Sequence, residues 1–414
     1  MGREEYNEMK HSSLKDDFIH YGLLVPVLLL ILVGFLAQYG AFHADPSIKN
    51  ISPLLLKHLL WTLLGLFCMF LLMFIPIKFL WKAAPVIFVI TLLLMGLLIK
   101  FYDPAMAEAT NTKRWLRLGS FTLQPSEFMK IGYVLMLAYL VTSHHISSQV
   151  SKLTETKQDW WLFTKMTLIS LPVALLMFIQ KDFGSSLVFL SIFLGILIIS
   201  GCSWKLLLPV FGTLGILGLS GILLVFTEHG RSILTYFHFQ PYQFNRIKSW
   251  LDPFAYADSI AFQQARGLTA IGSGQMFGRG LNHLKVYVPV RESDMIFTVI
   301  AEAFGFVGTS ILLLLFFYLI YQMLIITFSA KKEFYAYITT GIIMYFLFHI
   351  VENIGSNIGL LPLTGIPLPF LSQGGTAYIT NFIAVGLVLS MHREKLFDKQ
   401  EDDENYMINR QVHA

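Results

Sequence analysis

Asp294 is the residue of this chain best placed for chemistry. It ends the polar stretch Arg291–Asp294, and an apolar run begins at Met295. A carboxylate at such a boundary could act as a general base on a substrate that cannot leave the bilayer. Aspartate is also a common helix N-cap, and Asp294 alone leaves that alternative open. Charged residues elsewhere in the chain favour the catalytic interpretation.

A basic and aromatic patch, residues 111–117, follows the third apolar run and contains Lys113, Arg114 and Trp115. Arginine binds phosphate oxygens through two parallel hydrogen bonds, lysine adds a point charge, and tryptophan can lie against a sugar or a prenyl chain. We predict that these three residues bind substrate. A cationic and aromatic anchor at the membrane interface is the alternative.

Further polar residues lie where lipid would penalise them. Gln124 precedes a predicted helix in which Glu127 and Lys130 are one turn apart. Glu302 lies roughly 12 Å beyond Asp294 by the helical rise. Charged groups in membrane helices usually mark functional sites, so we predict that these residues contribute to the substrate site. A structural ion pair is the alternative for Glu127 and Lys130.

One later helix carries a polar stripe at three- and four-residue spacing. Its members are His349, Glu352, Asn353 and Ser356. Interhelical hydrogen bonding and substrate contact are both open explanations for this stripe.

Glycines predict two other local features. The four glycines at 212, 215, 218 and 221 favour close helix packing. The stretch Gly272–Gly278 resembles a nucleotide-binding fingerprint, but its last spacing differs and no βαβ unit surrounds it, so we expect a flexible loop. The sequence also contains no Walker motif. The substrate is therefore expected to be already activated within the membrane.

The composition defines the fold class. Of 414 residues, 55% are hydrophobic and only 14% are charged, and the mean hydropathy is +0.63. These values exceed those of soluble globular chains, so we predict an all-α, polytopic membrane protein. About ten runs are long enough to cross the bilayer. They are residues 21–42, 56–76, 83–101, 126–144, 166–180, 186–202, 206–227, 295–324, 335–358 and 375–392.

The distribution of lysine and arginine predicts the topology. The short loops favour cytoplasmic tails at residues 1–20 and 393–414, on either side of a membrane domain at 21–392. The long loop at about 228–294, between helices 7 and 8, would then be extracytoplasmic. It carries seven lysines and arginines against five carboxylates. This excess predicts an anionic ligand outside the membrane, and we include Arg246 among the substrate-binding residues.

Four sequence blocks resemble the SEDS (shape, elongation, division and sporulation) proteins, and the similarity spans nearly the whole chain. The blocks are Arg114-Trp115 through Gln124-Pro125-Ser126-Glu127, Asp182-Phe183-Gly184, Asp294 through Glu302, and Gly359 through Ser372. Residues 363–367 and the Ala301-Glu302 pair look more like the elongation subfamily, RodA, than the division subfamily, FtsW. The chain departs from the usual family pattern around these blocks, but no departure removes Asp294.

The resemblance implies a peptidoglycan glycosyltransferase of the EC 2.4 class in the bacterial cytoplasmic membrane, with its catalytic face outside. Such an enzyme polymerises lipid II into β-1,4 glycan during cell-wall elongation. The expected reaction inverts the donor sugar and releases undecaprenyl diphosphate, with Asp294 as the base. The resemblance also adds Ser372 to the substrate-binding residues.

Partners and alternatives complete the expectations. The implied partners are lipid II, the growing glycan strand, membrane lipids and a class B penicillin-binding protein, a transpeptidase; no nucleic acid is expected. No cofactor is certain, although a divalent cation, Mg or Mn, could share the charge of the leaving diphosphate. Two alternatives stay open: a lipid II flippase or transporter, and a noncatalytic scaffold for a transpeptidase.

Overall fold

The computed structural model describes residues 20–110, 112–119, 121–148, 154–236, 241–330 and 332–412. The predicted N-terminal tail, except His20, lies outside the described residues, as do Asn111 of the basic patch and the last two residues of the predicted C-terminal tail. Helices make up most of the described chain, and its only strands have three residues each, which confirms the all-α prediction.

Fourteen α-helices, one short 3-10 helix (Leu281–His283) and one hairpin make up the described structure. The helices are α1 (Tyr21–His43), α2 (Ser52–Met73), α3 (Ile77–Phe101), α4 (Pro104–Thr110), α5 (Pro125–Ser148), α6 (Glu155–Gln180), α7 (Phe183–Ile199), α8 (Trp204–Phe226), α9 (Glu228–Tyr236), α10 (Pro241–Leu251), α11 (Phe262–Gly274), α12 (Ile296–Ala330), α13 (Glu333–Asn357) and α14 (Gly375–Val412). The hairpin pairs β1 (Leu116–Leu118) antiparallel with β2 (Phe121–Leu123), with Leu116 opposite Leu123.

Each of the ten predicted apolar runs forms a helix in the structure. Eight of the described helices are long and apolar enough to cross a membrane. Of the other two runs, α7 is apolar but has 17 residues, and α5 is long enough but carries Glu127 and Lys130. The chain is therefore a multi-pass membrane protein.

The junction between α6 and α7 is set by two adjacent residues. Lys181 ends α6 in the left-handed conformation, with φ of 58°. Asp182 then caps α7, because its side chain accepts a hydrogen bond from the backbone N–H of Ser185. This sharp reversal places the Asp182 carboxylate at the end of the helix pair.

The membrane helices pack around a continuous core in which α14 lies along α2, α5 along α3, α13 along α7, and α12 along α1. Helix α8 is peripheral and contacts mainly the short helices α9 and α10 and part of α6. A Cβ added at any of its four glycines would meet no atom within 4 Å. The prediction of close packing at these glycines is wrong, because they face away from the neighbours of α8.

The glycine-rich stretch Gly272–Gly278, which begins in the last turn of α11, is packed, contrary to the expectation of a flexible loop. Gly305 interrupts the helical conformation of α12 with φ of 66°. The backbone beside this kink pairs with the stretch: the Phe306 N–H donates to the Gln275 carbonyl at 2.9 Å, and the Gly280 N–H donates to the Ala303 carbonyl at 2.9 Å. The segment between α8 and α12 is thereby fixed to α12 at this kink, which follows Asp294 in the chain.

Candidate active site at the start of helix α12

Asp294 lies two residues before the first residue of α12. The N-cap position is therefore Met295, whose carbonyl accepts hydrogen bonds from the N–H and the hydroxyl of Thr298. The capping alternative for Asp294 receives no support from this arrangement. The Asp294 backbone is instead held by α13, since the side-chain amides of Asn353 and Asn357 donate to its carbonyl at 2.8 and 3.0 Å.

The Asp294 carboxyl is partly buried, and burial raises its pKa from 3.8 to about 6. The negative charge of Glu292 also raises this pKa, whereas the backbone N–H of Asp294 and the charges of Arg114 and Arg246 oppose the shift. A carboxylate with a pKa close to neutral is suited to take a proton in a reaction near pH 7. Apart from its own backbone N–H, no group of the described residues donates a hydrogen bond to this carboxylate.

Two arginines from distant parts of the chain act electrostatically on Asp294. Arg114 precedes β1, and its Nη1 lies 3.4 Å from Oδ1 of Asp182. The buried Nε of Arg114 has no hydrogen-bond partner among the described residues. Arg246, on α10, donates from Nη1 to the Thr364 carbonyl at 3.4 Å. The structure thus places Arg114 of the basic patch and Arg246 of the long loop near the same acidic residue, Asp294.

Asp182 connects the basic patch to α5. Besides Arg114, its carboxylate accepts hydrogen bonds from the Ser185 hydroxyl at 2.8 Å and from Nε2 of Gln124 at 3.3 Å. Sequence reasoning noted Asp182 only as part of a family-like block. Its spacing to Ser185 is typical of a helix cap and could have marked it as the residue that orients the arginine.

A buried ion pair extends this network into the membrane domain. Lys130 Nζ lies 2.8 and 2.9 Å from the two carboxylate oxygens of Glu127 and 3.1 Å from Nε2 of His349. His349 Nδ1 lies 2.9 Å from the Pro367 carbonyl, which can only accept, so Nδ1 carries the proton and Nε2 is the acceptor in the neutral ring. All three Lys130 protons therefore have partners within the protein, and the geometry supports the structural alternative for this pair.

A small cavity of about 80 Å³ joins these groups. Its lining includes the predicted site residues Arg114, Trp115, Gln124, Glu127 and Lys130. Ser293, the residue before Asp294, also lines it, as does Gly365. The cavity therefore lies against the backbone next to Asp294.

Two other predicted substrate-binding residues, Glu302 and Ser372, do not line this cavity. Glu302 is fully buried, and its carboxylate binds Arg291 Nη2 at 3.0 Å and the backbone N–H of Lys285 at 2.7 Å. Ser372 accepts from the Leu368 N–H and donates to the Ser293 carbonyl, both at 2.7 Å. These contacts favour a supporting role for Glu302 and Ser372, and substrate binding by either residue stays a prediction.

Lys113 is exposed, and its Nζ lies 4.7 Å from the centre of the Tyr102 ring. It remains accessible for a ligand, unlike Lys130. The structure therefore separates the two lysines of the predicted site into one surface cation and one internal ion-pair member.

A larger groove of about 920 Å³ opens beside this network between α6, α7 and α8. Its walls are mostly apolar side chains, among them Phe163, Met177, Phe189 and Leu214. Lys181 and Asp182 line one end of it. An apolar groove that begins at the charged network is suited to the hydrocarbon part of an amphipathic molecule.

Known proteins resemble this chain over most of its length. Residues 21–396 match the sequence model of the FtsW, RodA and SpoVE family, described as cell cycle proteins. Stage V sporulation protein E of Bacillus subtilis (strain 168) is 29% identical over 379 residues, which are 90% of this chain and 96% of that protein. The "Probable peptidoglycan glycosyltransferase FtsW" of Wigglesworthia glossinidia brevipalpis is 31% identical over 353 residues, 83% of this chain and 85% of that protein.

Solved structures share the fold. A structure of a peptidoglycan synthase complex, described by its structural coordination of polymerization and crosslinking, contains a chain with a TM-score of 0.73 and 25% identity, covering 91% of this chain and 98% of that one. The rod shape determining protein RodA of Thermus thermophilus has a TM-score of 0.62 and 24% identity, covering 91% of this chain and 97% of that one. With residues 21–396 matched to one family model, the chain belongs to the SEDS family, the family of FtsW, RodA and SpoVE.

Proposed function

We propose that this protein is a peptidoglycan glycosyltransferase that polymerises lipid II, with Asp294 as the general base. The observation that carries the proposal is the environment of the Asp294 carboxyl. Its carboxyl has a pKa of about 6, is affected by two arginines, and receives no side-chain hydrogen bond from the described residues. The relatives named as peptidoglycan glycosyltransferases support the same reaction class.

The proposed reaction is a single displacement at the anomeric carbon of the donor N-acetylmuramic acid. The 4-hydroxyl of the acceptor N-acetylglucosamine attacks this carbon, and Asp294 takes the hydroxyl proton. The bond from the carbon to the diphosphate oxygen breaks, and undecaprenyl diphosphate leaves with the electron pair. One displacement converts an α-linked donor into a β-1,4 product, as in inverting glycosidases.

The leaving diphosphate needs charge stabilisation rather than protonation. Arg114 and Arg246 are the residues we assign to it, because both act on the Asp294 site and the buried Nε of Arg114 has no hydrogen-bond partner among the described residues. Lys113 adds an exposed cation on the same segment as Arg114. The Cζ atom of Arg114 lies 5.8 Å from the centre of the Trp115 ring, and this ring could support a sugar or a prenyl chain.

The lipid chain of the substrate would lie in the groove between α6, α7 and α8. That groove is apolar and ends at Lys181 and Asp182, and Asp182 binds Arg114. A bound molecule could therefore keep its chain among apolar side chains while its diphosphate lies near Arg114.

The described residues include no group of three His, Cys, Asp or Glu that could hold a metal ion. They do not fit a metal site made by the protein alone, and we assign no step of the reaction to one. The predicted effect of Mg or Mn is tested by adding either cation, or a chelator, to the polymerisation assay.

We further propose that the site faces the extracytoplasmic side, that both termini are cytoplasmic, and that the enzyme acts in cell-wall elongation. The lysine and arginine distribution supports the topology, and residues 363–367 support the elongation subfamily. Depletion in cells tests the role: rounded cells would support elongation, whereas filaments with blocked division would contradict it.

A class B penicillin-binding protein is the proposed partner. One structural neighbour belongs to a complex that combines polymerization with crosslinking. Membrane co-purification should recover a transpeptidase with this protein. Full polymerase activity in cells that lack every such transpeptidase would contradict the proposed partnership.

The deciding experiment uses the purified full-length protein, alone and with its co-purified partner, on labelled lipid II. Glycan strands resolved by gel electrophoresis would support the proposed function. A flippase or transporter would move lipid II across vesicles without making glycan, and a scaffold would do neither. Either of those results from folded protein with its partner would overturn the proposal.

A further inference from the structure

The turn Thr364–Gly365 lies between the proposed base and a proposed phosphate-binding arginine. Gly365 has φ of 78°, and a Cβ added to it would lie 3.6 Å from Oδ2 of Asp294. The carbonyl of Thr364 accepts a hydrogen bond from Arg246. The position of this turn therefore sets the distance between the base and the cation.

Glu352 holds the turn from α13. Its side chain is 4% exposed, and its Oε1 accepts hydrogen bonds from both the backbone N–H of Thr364, at 3.2 Å, and the Thr364 hydroxyl. The next residue, Asn353, donates to the Asp294 carbonyl and to the Ile366 carbonyl. One turn of α13 thus fixes both the backbone of the base and the loop that packs against its carboxylate.

We propose that Glu352 is a positioning residue for the glycosyl transfer: through Thr364 it keeps Gly365 against Asp294 and holds the carbonyl that orients Arg246. The inference rests on the proposed function, because it concerns the geometry of that same site. It also gives a role to one residue of the polar stripe, for which the sequence left both interhelical hydrogen bonding and substrate contact open.

The second carboxyl oxygen of Glu352 indicates which property of the residue matters. Oε2 is buried and has no hydrogen-bond partner among the described residues. Asp294 and Arg246 are the charged groups that act on this carboxyl. An unpartnered ionised oxygen inside a protein is costly, so the position needs the acceptor Oε1 rather than a negative charge. Glutamine provides that acceptor without the charge.

Four single variants and one double variant test the proposal in the lipid II polymerisation assay. We expect Glu352→Ala and Thr364→Val to lower kcat about tenfold, the effect of one neutral hydrogen bond, with KM changed less than about twofold. Glu352→Gln and Thr364→Ser keep the acceptor or the hydroxyl and should retain kcat within about threefold of the wild type. The double variant Glu352→Ala/Thr364→Val should be no slower than Glu352→Ala alone, because Glu352→Ala already removes the hydroxyl contact that Thr364→Val removes.

Val351→Ala is the matched control. Val351 is the neighbouring residue of α13, but it is 53% exposed on the outer surface of the helix bundle, so its truncation should leave kcat unchanged. Rates are compared per mole of monodisperse protein, which separates turnover from loss of folded material.

Three results would overturn the inference: a Glu352→Gln variant as slow as Glu352→Ala, losses that multiply in the double variant, or a higher KM with unchanged kcat. The first result would mean that the negative charge of Glu352 matters. The second would mean that Glu352 and Thr364 act independently, and the third would mean that they affect substrate binding rather than the chemical step. If the wild-type protein makes no glycan, the proposed function is overturned instead. That failure is distinct, because the variants can be compared only when the wild-type protein has a measurable rate.

Discussion

Asp294 and Glu302 are two acidic residues on either side of the start of α12, and their environments are opposite. Glu302 is fully buried, with both carboxylate oxygens bonded, to Arg291 on one side and to two backbone N–H groups on the other. Asp294 is partly exposed, and its arginines act on it without a hydrogen bond to its carboxylate. A fully bonded carboxylate serves the fold, whereas an incompletely bonded one can exchange a proton.

The largest expected effect comes from removing the base. Asp294→Asn keeps the size of the side chain but cannot take a proton, so glycan synthesis should fall by about 10²- to 10⁴-fold, the usual contribution of a general base. The measurement is polymerisation of labelled lipid II per mole of folded protein. Asp294→Ala should be equally inactive while still inserting in the membrane. Near-normal synthesis by the Asn variant would remove the catalytic assignment.

Breaking the Glu302 pair should affect folding rather than chemistry. Glu302→Ala leaves the Arg291 side chain, 3% exposed, without its carboxylate. Loss of one partner from a buried ion pair lowers the free energy of unfolding by about 3–5 kcal/mol. Thermal unfolding in detergent should show this loss, while the molecules that stay folded keep their turnover.

A double replacement sharpens that prediction. Arg291→Met/Glu302→Gln removes both charges, keeps a side-chain oxygen as acceptor for the Lys285 and Val286 N–H groups, and should recover much of the stability lost in Glu302→Ala. Normal stability together with abolished turnover in Glu302→Ala would mean that Glu302, like Asp294, takes part in the reaction.

Arg114 tests whether the cations near Asp294 bind the diphosphate. Arg114→Ala should lower turnover about tenfold to hundredfold, from the roughly 1.5–3 kcal/mol of a charge-assisted hydrogen bond. Arg114→Lys keeps the charge but loses the paired geometry, so much of the loss should remain. An interfacial anchor would instead tolerate lysine and would lose folded protein rather than turnover on change to alanine.

The pH dependence follows from the raised pKa of Asp294. The base is available above its pKa of about 6, so turnover should be full near pH 7 and fall about tenfold for each unit below pH 6. Protonation of Asp294 does not unfold the protein, so loss of folded protein through this group cannot cause the fall in turnover. Because the folded-state pKa lies above the ordinary 3.8, the folded protein binds the proton more tightly, and this carboxyl stabilises the fold as pH drops from 6 towards 4. An acidic limb that is absent down to pH 5 would contradict the assignment.

The sequence predicted the helices and five of the sixteen residues that line the small cavity, because hydrophobic run length and buried charges are local signals. It could not predict which charges were already bonded. Lys130 looked like a phosphate ligand until its partner His349, 219 residues away, was located. Glu302 looked like a second acidic site residue until Arg291 was found beside it. The glycines of α8 were misassigned for the same reason: their spacing suits packing, but among the described residues no atom lies within 4 Å of a Cβ added at any of them.

Glu292 offers the most sensitive test of the comparison between Asp294 and Glu302, because its charge changes the pKa of Asp294 while the residue has no assigned role in the reaction. Its negative charge is one of the causes that raise the Asp294 pKa, after burial. Glu292→Gln removes that charge, so the acidic limb of the turnover profile should move to lower pH while the rate near pH 7 stays unchanged. The backbone carbonyl of Glu292, which accepts from Gln38 and from the Gln373 N–H, is retained in this variant. Measuring the complete pH profile of both proteins at low salt gives the shift, and added salt should reduce it by screening the charge that remains in the wild type. A limb that stays in place, or moves to higher pH, would mean that Asp294 does not set it.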